Sequence, residues 1–85
     1  MNREELEKKV MELVASQVSL DIEEIGLGKD FIGDLGFDSL DAVELTICIE
    51  DNFDMTISDE QADSLINVKL LADFIENNDP DIRTR

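Results

Sequence analysis

Eighty-five residues with a formal net charge of −15 and 42% hydrophobic side chains describe one small folded domain, near the size at which a single core supplies only about 3–5 kcal/mol. Such acidity favours a soluble monomer and argues against binding nucleic acid or inserting into an anionic membrane; it points to partners with basic patches. The single cysteine, Cys48, excludes a disulfide framework and a thiolate zinc cluster.

That cysteine usage suits a reducing compartment. Charged residues follow Met1, which speaks against a signal peptide. No apolar run approaches the ~20 residues that span a bilayer. The expectation is a cytoplasmic protein.

The first helix is expected over Arg3–Val18. Asn2 is its N-cap, with Glu5 placed to complete a capping box. Leu6, Val10, Leu13, Val14 and Val18 fall on one face, and Glu4, Glu5, Lys8 and Glu12 turn largely away from it. A long connection then runs from about Ser19 to Asp38 and holds all four glycines. Loops of that length are uncommon in compact domains unless they serve a function. Its Leu20, Ile22, Ile25, Leu27, Phe31 and Leu35 must pack on the helices, with a short helical turn among them.

A second helix is expected from Ser39 to Asn52 or Phe53, with Asp38 favouring its N-terminus. A short third helix spans about Asp59–Leu65, capped by Ser58 with Gln61 at the matching position. The fourth runs over Val68–Glu76 with Asn67 as N-cap, and Asn77-Asn78-Asp79-Pro80 stops it. Residues 1–79 form the domain and 80–85 a flexible tail. The fold class is therefore all-α: an antiparallel four-helix bundle, three main helices and one short, with a long loop between helices one and two.

The second helix carries two apolar stripes. Ala42, Leu45, Thr46, Ile49 and Phe53 share one face, the natural core side. Leu40, Val43 and Ile47 gather on another, beside Glu44 and Asp51, with Asp41 and Cys48 further round. Either the long loop covers this second stripe or it is a docking surface, apolar anchors ringed by carboxylates.

From Asp30 through Val68 the chain has no Lys or Arg. Calcium is the first chemistry to test there. An EF-hand register from Asp30 puts Ile32 third and Leu35 sixth, where glycine is needed. A register from Asp34 puts Ser39 sixth and Leu45 twelfth, where glutamate is needed. Both fail, and no metal site is expected. Ser39 also lacks the surroundings of a nucleophile: there is no histidine, and Phe37-Asp38-Ser39-Leu40-Asp41 is not a Gly-x-Ser-x-Gly elbow. Cys48 lies mid-helix without a basic neighbour. No catalytic residue is assigned, and Ser39 is either a helix cap or a residue that another enzyme modifies.

The run Asp34-Leu35-Gly36-Phe37-Asp38-Ser39-Leu40-Asp41 resembles the acyl carrier proteins of the freestanding kind. The similarity continues through Val43-Glu44-Leu45, Glu50-Asp51-Asn52-Phe53 and Ile57-Ser58-Asp59-Glu60-Gln61-Ala62. It implies a non-enzymatic carrier with 4′-phosphopantetheine attached to Ser39 by a phosphopantetheinyl transferase, which Asp38 helps to engage. It implies partner contacts by Leu40, Asp41, Val43, Glu44, Ile47, Glu50 and Asp51 with acyl-transfer, condensing and reducing enzymes. It implies an acyl-chain pocket among Leu45, Ile49, Phe53, Ile57, Leu65 and Ile75.

Ser58 stands where proline is frequent in the family, Phe37 at a variable site, and Cys48 where a small apolar residue is commoner. The cargo would be acyl intermediates of fatty acid, or of related polyketide or lipid, biosynthesis. The alternatives are an aminoacyl or peptidyl carrier and a non-covalent acidic interaction protein, a DNA-mimicking inhibitor among them.

Overall fold

A computed structural model describes residues 2–78; the tail expected over 80–85 lies outside the described residues. Within them the fold is all-helical: α1 (Arg3–Val18), α2 (Ile22–Ile25), α3 (Ser39–Phe53), α4 (Asp59–Ser64) and α5 (Val68–Asn78). The expected four helices are α1, α3, α4 and α5. The helical turn expected inside the long connection is α2, a fifth element of four residues.

Local chemistry sets the boundaries. Asn2 and Glu5 cap α1 reciprocally, the Asn2 side chain accepting from the Glu5 N–H and the Glu5 carboxylate from the Asn2 N–H. Ser58 and Gln61 do the same for α4. Asn67 Oδ1 accepts from the Leu70 N–H at 2.9 Å and starts α5. That helix runs on through Asn78, two residues past the expected Glu76. The Asn78 side chain donates back to the Phe74 carbonyl at 2.8 Å; Asp79-Pro80 of the expected stop lies outside the described residues.

The hub is α1, which packs against α5, α3 and α2. Leu6, Val10 and Val14 on α1 meet Ile25, Leu45, Ile49, Val68, Leu71 and Ile75 in one core. Burial of each such aliphatic side chain is worth about 1.5–3 kcal/mol, and this is what holds a bundle with so much like charge together. Leu13, Val18, Leu20 and Leu35 are only partly buried against this core. Leu27, expected to pack on the helices, is exposed instead. Its carbonyl has the structural role, accepting from the Lys69 N–H at 3.1 Å.

That bond and a second one, from the Phe31 N–H to the Ile66 carbonyl at 2.8 Å, tie the long connection to the first turn of α5 and to the segment just before it. The connection is thereby ordered, and it delivers the chain to Asp38 in a fixed position.

Candidate functional site

The approach to α3 is built from three residues with different tasks. Gly36 adopts φ +78°, where a side chain would be strained, although a Cβ there would meet nothing within 4 Å. Phe37 then turns inward. It is 3% exposed and stacks on Phe31, ring centroids 5.3 Å apart, while its N–H donates to the Phe31 carbonyl at 2.9 Å. Asp38 follows in extended conformation as N-cap. Its Oδ1 accepts from the Asp41 N–H at 2.9 Å, and Asp41 Oδ2 accepts from the Asp38 N–H at 3.2 Å.

Capping of α3 is thus complete without Ser39. Ser39 is the first helical residue, exposed, and its hydroxyl has no hydrogen-bond partner among the described residues. It is a substrate-like hydroxyl: accessible, held on a rigid element, and lacking the base that would make it a nucleophile of its own.

The two stripes of α3 divide as the helical wheel divides them. Leu45 and Ile49 are buried, while Ala42, Thr46 and Phe53 are half-buried. Leu40, Val43 and Ile47 remain 66%, 55% and 50% exposed, so the long connection does not cover the second stripe. The carboxylates around it differ in what they do. Glu44 and Asp51 are exposed and unpartnered among the described residues. Asp41 is engaged in the cap. Glu50 is half-buried, and its Oε2 accepts from the Ile57 N–H at 2.8 Å.

Beside Ser39 opens a cleft of about 520 Å³. Val43 and Ile47 of α3 and Ala62 of α4 form its walls. Leu45, Ile57, Leu65 and Leu71 reach its base, and Glu50, Asp59 and Asp63 add carboxylates to its lining. Of the six residues expected around an acyl chain, Leu45, Ile57 and Leu65 line this cleft. Ile49 and Ile75 are fully buried in the core, and Phe53 packs against that core without reaching the cleft. Helical periodicity places Leu45 and Ile49 on one face, but it cannot say which of them meets a cavity.

Sequence reasoning left Phe37 as a variable neighbour of Ser39, whereas it anchors the loop on which Ser39 depends. The signal available was an aromatic residue six positions from Phe31 in a segment rich in glycine. Among the described residues no three carboxylates, cysteines or histidines converge as a metal centre.

The Ser39 hydroxyl and the cleft beside it are compatible with a phosphate-linked arm. A free hydroxyl stands at the N-terminus of a fifteen-residue helix, where the dipole favours an anion, and an apolar-based cleft opens next to it. The family model described as the phosphopantetheine attachment site matches residues 8–75. That span covers most of the chain and encloses Ser39, the cleft and the exposed stripe of α3, so the chain belongs to the phosphopantetheine-attachment family, whose members carry a covalently bound 4′-phosphopantetheine.

Proposed function

We propose that this chain is an acyl carrier protein that holds acyl intermediates of fatty acid, or of related polyketide or lipid, biosynthesis as thioesters on an arm attached to Ser39. The observation that carries the reading is the unpartnered Ser39 hydroxyl beside a cleft with an aliphatic base. When bound, the arm supplies a terminal thiol for thioester formation. The protein's own residues do the rest. Asp38 and Asp41 fix the turn so that Ser39 Oγ is presented to a phosphopantetheinyl transferase, which supplies the base for the transfer. Leu45, Ile57, Leu65 and Leu71 offer an apolar lining that shields an aliphatic chain from water.

Leu40, Val43 and Ile47 supply the contact area for visiting enzymes, and Glu44 and Asp51 the charge that steers their basic patches. The affinity of such contacts stays modest because association costs absorb much of the buried-area gain. That suits a carrier that must leave each enzyme in turn. The apolar side chains of Leu45, Ile57, Leu65 and Leu71 in the lining suit the aliphatic part of an acyl cargo. A half-buried free thiol at Cys48 fits a reducing, cytoplasmic setting.

The test is mass spectrometry after co-expression with a broadly active phosphopantetheinyl transferase. The protein should gain the mass of one phosphopantetheine, and Ser39→Ala should abolish the gain. An unmodified wild-type protein would end the carrier reading.

A further inference from the structure

The cleft has one firm wall and one loosely built wall. On the α3 side, Leu45 and Ile49 root the helix in the core. On the other side α4 has six residues, none of them buried, and it is absent from the principal helix contacts, which α1 makes with α5, α3 and α2. Two hydrogen bonds from outside pin the residues flanking α4 instead. Before it, the Ile57 N–H donates to Glu50 Oε2 at 2.8 Å. After it, the Ile66 carbonyl accepts from the Phe31 N–H at 2.8 Å. Glu50 and Ile57 both line the cleft, and the Ile57 side chain lies buried at its base.

We infer that Glu50 is a positioning residue: its carboxylate fixes the α4 wall and so sets which acyl-chain lengths the cleft shelters. This rests on the carrier reading above. A carboxylate used only for docking would stand in solvent, as Glu44 and Asp51 do. Glu50 is half-buried and turned to a backbone donor seven residues away. A hydrogen bond to a carboxylate is among the stronger kinds, and here it joins the firm wall to the loose one.

Two variants separate positioning from docking, because glutamine keeps an acceptor oxygen and alanine does not. The Ile57 amide should exchange with solvent about tenfold faster or more in Glu50→Ala, as expected for loss of one hydrogen bond to a carboxylate, and close to the wild-type rate in Glu50→Gln. On protein carrying the arm, the rise in melting temperature on loading saturated chains of increasing length should peak at one length in the wild type and in Glu50→Gln. In Glu50→Ala the peak should move to longer chains or flatten. Each rise is read against the same variant without acyl chain, so a general loss of stability does not mimic the effect.

Equal behaviour of the two variants, or a wild-type length profile in Glu50→Ala, would overturn the inference while leaving the carrier reading intact. If no chain of any length stabilises the wild-type protein, the cleft has no acyl cargo, and both readings of it fall.

Discussion

Asp38 and Asp41 cap α3 reciprocally, each carboxylate accepting from the other residue's backbone N–H, at 2.9 and 3.2 Å. The arrangement frees the serine between them from a structural task. Asp38→Ala should therefore cost about 1 kcal/mol of stability, the usual cost of losing an N-cap. Ser39→Ala should stay within about 0.5 kcal/mol of wild type, as surface substitutions do. Urea denaturation of the unmodified protein measures both. A larger loss in Ser39→Ala than in Asp38→Ala would reverse the assignment of roles.

The second prediction concerns Phe37. Its ring is almost wholly buried on Phe31, and the pair holds the turn that leads into Asp38 and Ser39. Phe37→Ala should cost about 3 kcal/mol, a large share of the ~5–15 kcal/mol typical of whole domains. Phe37→Leu keeps most of the volume but loses the ring pairing, and should cost about 1 kcal/mol. Modification by the transferase should slow in the alanine variant even where the helices persist, because the turn presenting Ser39 loosens. Unchanged kinetics would show that α3 alone presents the serine.

Arg3 bridges the start of α1 to α5, its guanidinium 2.6 Å from Asp73 and 2.8 Å from Glu7. The hydrogen bond from Arg3 is the main reason that the Asp73 carboxyl sits below its ordinary value, with Lys69 adding to it. A depressed carboxyl pKa contributes stability above the unfolded value near 3.8, and that contribution is lost as the pH falls through the lower, folded value. Asp73→Asn should therefore be less stable than wild type at neutral pH, and the gap should close in acid below about pH 4. Because the pair lies at the surface and is only partly buried, the gap should stay near or below about 1 kcal/mol. A gap that persists undiminished in acid would mean that packing, not charge, is what the variant loses.

How much of this was legible beforehand depends on the distance over which each signal acts. The starts of α1 and α4 follow from residues three apart, Asn2 with Glu5 and Ser58 with Gln61, and the start of α3 from Asp38, whose pairing with Asp41 the fold adds. The stripe of Leu40, Val43 and Ile47 follows from helical periodicity, but that it is left exposed rather than covered by the long connection is visible only in the fold. The stacking of Phe37 on Phe31 depends on the path of an irregular loop, which no period encodes. The bond from Glu50 to Ile57 depends on how the chain turns after α3. On a helical wheel Glu50 is one more surface acid, and only the fold shows that it faces a backbone donor. The pocket that the resemblance implies includes Ile49 and Ile75, which lie fully buried in the core and do not line the cleft; a wheel records direction but not depth.

The final prediction follows from charge. The chain carries −15 overall, and no Lys or Arg lies between Asp30 and Val68, so the surfaces of α3 and α4 repel one another. Like-charge repulsion weakens the compact state and is screened by salt, with a Debye length of about 10 Å at 0.1 M. Added NaCl should raise the melting temperature. MgCl₂ should do so at lower concentration, since a divalent ion neutralises two carboxylates at once. Because no three metal-ligating side chains converge among the described residues, the Mg²⁺ effect should be diffuse. It should rise gradually without saturating at one equivalent, and enough NaCl should reproduce it. Differential scanning calorimetry at fixed pH reads this directly. A sharp stoichiometric rise with Mg²⁺ that NaCl cannot match would mean that a specific site forms on binding. A fall in melting temperature with either salt would mean that the Arg3 network, which salt weakens, outweighs the repulsion between α3 and α4.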